Sequence, residues 1–174
     1  MTSPSRSFPP VARAGARVLV LGSMPGVASL EAQQYYAHPR NAFWWVMEEL
    51  FGVDRALPYG ERTKALAAEG VALWDVLAEC RREGSLDADI ERDSIVPNDL
   101  AGFLDTHRRV HALCFNGRKS REVFDRHVAK ALPDAIRDRV SLHDLPSTSP
   151  AHAGMTWETK RDKWAVVKEL VDGS

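Results

Sequence analysis

Residues 17–26 read Arg-Val-Leu-Val-Leu-Gly-Ser-Met-Pro-Gly, an apolar run that stops on a glycine and turns through a proline. Val and Leu without polar alternation, over about the length of one strand, mark a strand buried on both faces. Gly22 and Gly26 permit tight turns, and Pro25 fixes the backbone between them. Three more runs of this kind come later in the chain: Val71–Trp74, Val110–Phe115 and Val140–Leu142. Helical patterns fill the gaps, over Asn41–Phe51, Arg62–Glu69, Asn98–His107, Ser120–Leu132 and Thr156–Val171. In the first of these Phe43, Met47, Leu50 and Phe51 share a face and Gly52 ends it. Asn98 is placed to cap the third, and Pro133 breaks the fourth. Strands alternating with helices predict an α/β fold with a parallel sheet covered on both faces.

The chain of 174 residues is a comfortable length for one domain, set at 15–174, with residues 1–14, rich in Ser, Pro and Arg, expected as a flexible tail. A formal net charge of −1 gives no global basic field, so any nucleic-acid contact must come from a local patch or from backbone amides. Cys80 and Cys114 stand far apart in apolar segments with no Cys-x-x-Cys pair. They predict reduced, buried thiols in a cytoplasmic protein, with no metal and no cofactor. No run is apolar enough for a signal peptide or a membrane span, so no membrane partner is expected.

In parallel sheets of this kind ligands bind outside the carboxyl ends of the strands. The segments just after the strands are therefore the candidate site. Gly22-Ser23-Met24-Pro25-Gly26 can bring main-chain amides against a ligand. Tyr36 stands in a polar loop before an aromatic helix, where its face could stack on a flat base at about 1–3 kcal/mol per base. Asn41 opens that helix, either as its N-cap or facing a ligand. Phe43, Trp44 and Trp45 read chiefly as core. Asp75 ends the second strand, as a cap or as an acceptor for a ring N–H. Asn116-Gly117-Arg118-Lys119-Ser120 opens a helix that could hold a phosphate. Leu145–Ala153 carries Ser147, Ser149 and His152 in a proline-stiffened loop suited to a DNA phosphate. Ser149 and His152 are also the pair a serine hydrolase would use, without the nucleophile-elbow motif.

Taken together, GSMPG (22–26), YYAHPRNAFW (35–44), GVALWDVL (70–77) with CRREGSLDADI (80–90), FNGRKS (115–120) and LPSTSPAHA (145–153) resemble the hypoxanthine-DNA (deoxyinosine) glycosylase family of the uracil-DNA glycosylase superfamily. That group is close to the mismatch-specific uracil/thymine DNA glycosylases. The resemblance runs from about Arg17 to the last helix. It implies a three-layer α/β/α fold with a four-stranded parallel sheet, and a monofunctional, metal-free glycosylase of base excision repair. Its substrate would be damaged DNA, single- or double-stranded, and the protein a monomer.

The resemblance also assigns roles. In the mismatch-specific relatives the first loop reads GINPG and its Asn positions the attacking water; here Met24 holds that place. In the hypoxanthine family the Asn of the HPxN motif, here Asn41, takes over. Tyr36 matches the aromatic that stacks on the flipped base, and Asp75 the strand end that faces the base edge. Amides at Ser23 and Met24 would bind a base carbonyl. Gly22, Pro25, Gly26, Ser147, Ser149 and His152 would hold DNA. The final motif reads Leu145-Pro146-Ser147 where relatives carry HPS or NPS, so their transition-state His is absent. Expected activity is excision of hypoxanthine, or else uracil or xanthine. The other readings are a catalytically weak lesion-binding protein on the same fold and a small-molecule serine hydrolase.

Overall fold

The computed structural model of the chain describes residues 3–173. Four parallel strands form the central sheet: β2 (Val18–Gly22), β3 (Val71–Asp75), β6 (Ala112–Asn116) and β7 (Ser141–Leu145), in the order β3-β2-β6-β7. Alternate residues of each strand point to opposite faces. Val18 and Val20 pack with Leu73, Ala112 and Cys114 on one side, against α2 (Phe43–Phe51) and α7 (Trp157–Gly173) through Phe43, Met47, Trp164 and Val167. Leu19 and Leu21 pack with Ala72, Leu113 and Phe115 on the other. That face is covered by α4 (Leu100–Thr106), α5 (Arg118–His127) and α6 (Asp134–Arg139) through Phe103, Phe124 and Ile136. Both faces are thus covered at β2, β3 and β6, whose unbroken apolar runs reflect that, while β7 at the sheet edge is exposed over Ser141, Leu142 and Asp144, against the buried strand expected there. The chain runs from β2 outward to β3 and then returns to the opposite side of β2 at β6. The reversal opens a crevice at the carboxyl ends of β2 and β6.

The expected strands overlap the observed ones, with the largest difference at the end of β7, expected at Leu142 and observed at Leu145. The helices α2, α3 (Tyr59–Ala68), α4, α5 and α7 fall on the expected segments, with α5 ending at His127 and a single 3-10 turn covering Ala129–Ala131. The short helices α1 (Val27–Ala32) and α6 were not anticipated. Each has six residues, too few to show a period. Pro133, expected as a breaker, is also the N-cap of α6. Asp99 rather than Asn98 caps α4, its carboxylate accepting from the Gly102 amide.

A second sheet was also unforeseen. Strands β4 (Leu77–Arg82) and β5 (Ile90–Pro97) form an antiparallel hairpin, and β1 (Ser5–Arg6) pairs with its edge. Charged residues crowd both long strands, and register shifts break the ladder at Glu79, which together hide the alternation that marks a strand. This sheet also corrects the expectation of a flexible tail over residues 1–14. Ser7 donates to the Ala78 carbonyl at 2.9 Å, and Val11 and Leu73 exchange both backbone hydrogen bonds at 2.9 Å. The Trp74 indole donates to the Phe8 carbonyl and the Tyr35 hydroxyl to that of Pro9. Met1 and Thr2 of the expected tail lie outside the described residues.

Candidate active site

A cavity of about 130 Å³ opens at the carboxyl ends of the parallel strands. It gathers Gly22, Ser23, Met24, Pro25, Gly26, Tyr36, Asn41, Asp75, Ser147 and Ser149, drawn from four separate stretches of sequence. His152 stands apart. It lines a neighbouring open groove of about 900 Å³ with Arg118, Arg121 and Asp144, and Ser147 borders both spaces. In that groove Arg121 is taken up by Asp125 and Asp144, whereas Arg118 has no carboxylate partner among the described residues.

Asp75 is the floor of the cavity. It ends β3 opposite Gly22 and is 3% exposed. Its Oδ2 is buried with no hydrogen-bond partner among the described residues. Burial in the first place, and the charge of Asp87 in the second, push its pKa up to about 7; the Arg82 guanidinium opposes them. Gly22 is required here because a Cβ on it would meet Asp75 Oδ1 at 2.6 Å and Tyr36 Oη at 3.4 Å.

Tyr36 adopts a left-handed backbone conformation, φ 58°, just after α1 ends. Its ring stacks on Phe43, centroids 4.1 Å apart. Tyr36 Oη is also buried without a hydrogen-bond partner among the described residues. Burial first, then the nearby Asp75 charge, hold the phenol firmly protonated, with Asn116 pulling the other way. The cavity therefore contains two buried polar atoms, Asp75 Oδ2 and Tyr36 Oη, unpaired among the described residues. Unpaired buried groups are costly in a folded chain and are a mark of ligand sites.

The Met24 side chain is buried in the core, so only its backbone can serve a ligand. Neither the Ser23 nor the Met24 amide donates to a carbonyl or side chain among the described residues. Asn41 stands one residue before the N-cap of α2, which is Ala42; its Oδ1 accepts from the Phe43 amide at 2.9 Å, and the residue lines the cavity. The amide oxygen keeps a second lone pair for a ligand or water.

Sequence reasoning gave no role at the cavity to four participants. Asn116 ends β6 and clasps Thr148, donating from Nδ2 to the hydroxyl and accepting at Oδ1 from the Thr148 amide, both at 2.9 Å. Thr148 then accepts from the Ala42 amide through its carbonyl, tying the last loop to the Asn41 turn. On the other rim the β4–β5 hairpin folds over the first loop. Ser23 donates to Asp87 at 2.6 Å, the Val27 amide donates to Ser85 Oγ at 2.7 Å, and buried Arg82 donates to the Pro25 carbonyl. Asn116 and Thr148 were visible as polar residues after strands. Asp87 and Ser85 stood within the CRREGSLDADI stretch of the resemblance but received no role, because the hairpin that carries them was not legible.

The serine-hydrolase arrangement is absent. Ser149 Oγ accepts from the Ala151 amide, and the only hydrogen bond between Ser149 and His152 among the described residues is a backbone turn. No cluster of three His, Cys, Asp or Glu side chains is placed to hold a metal among the described residues, and His107 and His111, four apart in sequence, form no part of one. No helix among the described residues is long and apolar enough to cross a membrane.

Comparison with known proteins agrees with this geometry. The family model described as the uracil DNA glycosylase superfamily matches residues 9–171. Hypoxanthine DNA glycosylases from Methanosarcina barkeri (strain Fusaro) and Methanosarcina acetivorans are each 36% identical over 118 residues, 67% of this chain and 73% of theirs. A solution NMR structure of a candidate uracil DNA glycosylase from Methanosarcina acetivorans superposes with a TM-score of 0.79 at 29% identity, covering 98% of this chain and 99% of that one. An α/β sheet of this order, with a base-sized cavity at its switch point, and a family match over nearly its whole length place the chain in the uracil DNA glycosylase superfamily, as a DNA glycosylase.

Proposed function

We propose that the chain removes deaminated bases from DNA, hypoxanthine before uracil or xanthine, by hydrolysis of the N-glycosyl bond. The observation that carries the preference for a deaminated base over adenine is the unpaired Asp75 Oδ2 at the cavity floor. Hypoxanthine presents an N1–H donor and adenine does not, so a carboxylate there favours the deaminated base. A site built to pair a polar group rejects the analogue that leaves it unpaired. The name of the two 36%-identical relatives points the same way.

The target nucleotide must leave the helix to reach this cavity, at a cost of about a few kcal/mol that is least for a mispaired base. Inside, Tyr36, backed by the buried Phe43 ring, offers an aromatic wall, and the Ser23 and Met24 amides face the base carbonyl. Asn41, fixed by the Phe43 amide, orients a water towards C1′ of the sugar. The C1′–N bond breaks with its electron pair going to the base; the water oxygen bonds to C1′, and its proton ends on the departing base. Much of the barrier in such a dissociative step is met by positioning and by stabilising charge on the leaving group. Ser147, Ser149 and His152, with Gly22, Pro25 and Gly26, hold the DNA strand on either side, with the protein acting as a cytoplasmic monomer.

End-labelled DNA carrying one inosine, one uracil or no lesion tests the proposal, with hot alkali to break abasic sites. Breaks at inosine in excess of uracil are expected. Tight binding of inosine DNA without breaks would instead make this a lesion-binding protein, a reading that the buried Met24 side chain in place of a polar one favours.

A further inference from the structure

Arg82 on β4 is a charged residue to which the steps above give no part. It is 3% exposed. Its neighbour Arg81 pairs with Glu91, whereas Arg82 has no carboxylate partner among the described residues. Nε donates to the Gly84 carbonyl at 3.0 Å and Nη2 to the Pro25 carbonyl of the first loop. Nη1 is buried with no hydrogen-bond partner among the described residues. A buried cation without a counter-ion is costly. Holding two main-chain carbonyls does not require one, because a neutral donor would serve. The tip of the same hairpin brings a carboxylate to the loop. Asp87 accepts from Ser23 at 2.6 Å and lines the cavity with Asp75. Hairpin and loop lie close together, since a Cβ on Gly26 would stand 3.3 Å from Ser85 Oγ.

From this cluster we infer that Arg82 is a positioning residue of the base site: it holds the first loop through Pro25 and, set against Asp87, supplies the positive charge under which Asp75 serves as a carboxylate acceptor. It acts through Asp75 and the loop and touches no substrate. The titratable and charged groups that face Asp75 are Asp87 and Arg82 from the hairpin, Tyr35 and Tyr36 from the segment after α1, and Tyr59 from α3. Burial raises the pKa of all three phenols, which stay protonated, so the hairpin supplies the charges. Burial raises the Asp75 pKa most, Asp87 raises it further, and Arg82 opposes both. The inference deepens the proposed glycosylase reading and rests on it.

The test is the pH dependence of kcat/KM for base release from inosine DNA by the wild-type chain, Arg82→Gln, Arg82→Lys and Asp87→Asn. Arg82→Gln should move the midpoint upward from about 7 by about one unit. Release then falls about ten-fold on the acid side of the midpoint and returns to within about two-fold of wild type at about pH 9. Arg82→Lys keeps the charge and should keep the midpoint. Asp87→Asn can still accept from Ser23 but loses the opposing charge, and its midpoint should move downward. Asp87 is exposed, so this variant decides the matter where a change at buried Arg82 prevents folding. A loss in Arg82→Gln that is the same at every pH would make Arg82 a strut alone and overturn the inference. So would an upward shift in Arg82→Lys as large as in Arg82→Gln, an unmoved midpoint in Asp87→Asn, or a flat wild-type profile. All of these leave the glycosylase reading intact, because the wild type releases base. No release by wild type at any pH would remove that reading and the inference together.

Discussion

Asp75 Oδ1 lies 2.6 Å from the point where a Cβ on Gly22 would stand. The two residues face each other across the ends of paired strands β2 and β3. The missing side chain of one makes the room for the carboxyl of the other, and the last residue of each strand thus shapes the cavity.

Gly22→Ala should leave the protein folded and disable the site. The added methyl must push the Asp75 carboxyl off its position, since neither strand can move without breaking the sheet. Overpacking of this kind costs about 1–3 kcal/mol. Thermal unfolding should show a modest drop, whereas excision of inosine should fall by about a hundred-fold. Activity close to wild type would mean that the position of Asp75 is not what selects the base.

Activity should depend on pH through Asp75. Its pKa of about 7 in the free protein means that the carboxylate needed to accept from N1–H forms only as pH rises through neutrality. The pH dependence of kcat/KM reports the free enzyme. It should rise across that range with a midpoint near 7. Asp75→Asn should be slow and lack that limb. A wild-type profile flat across neutrality would exclude Asp75 as the acceptor.

The same group makes stability depend on pH in the opposite sense to an ordinary ion-paired carboxylate. The folded chain holds the Asp75 proton up to about 7, and the unfolded chain releases it near 3.8. The stability due to that proton is complete below 3.8 and is lost as pH rises towards 7. At about 1.4 kcal/mol per unit the total is a few kcal/mol. Asp75→Asn should therefore unfold at a higher temperature than wild type at pH 8 and at a similar temperature at pH 4. A destabilised variant at pH 8 would show that the carboxylate is stabilised by contacts other than those described.

Strands β2, β3 and β6 and the residues at their ends were legible because burial on both faces leaves an unbroken apolar run, whereas edge strand β7, expected to be buried like them, is buried only at Leu145. Parallel strands all end at one edge of the sheet, so the residues directly after each run are brought together there. Gly22–Gly26, Asp75, Ser147 and Ser149 met in one cavity for that reason, and Tyr36 and Asn41 reach it on the segment between α1 and α2. The hairpin was not legible, since charges on both its strands carry no period, and Asp87, Ser85 and Arg82 were lost with it. The N-terminal segment misled through composition. Its prolines and serines read as loose chain, but Val11 pairs with Leu73 on a strand 62 positions away, which no local pattern records. His152 was grouped with the loop serines, and the turn at Ser149 carries it into the next groove.

Thr148 should matter more than its neighbours Ser147 and Ser149. It is buried and binds Asn116 twice. Thr148→Val keeps the backbone bond and the shape but leaves Asn116 Nδ2 without its acceptor. A buried donor left unpaired costs about 1–3 kcal/mol. Urea unfolding should show that loss, with a matching fall in excision as the last loop loosens from the Asn41 turn. Replacing Asn116 as well should cost less than the sum of the two single changes, since the pair is already broken.

Asn41 fills two roles at once, and two substitutions separate them. Asn41→Ala removes the acceptor for the Phe43 amide and the group facing the cavity together, costing about 1 kcal/mol at the helix start and abolishing excision. Asn41→Ser restores an oxygen within reach of the backbone amide, so thermal stability should return. Its shorter side chain cannot also reach the cavity, and excision should stay as low as in the alanine variant. The comparison turns on which property the serine recovers. Recovery of stability alone assigns Asn41 to the reacting water. Recovery of both would reduce it to a residue that acts through the position of α2, and the water would then have to be held by the Thr148 loop.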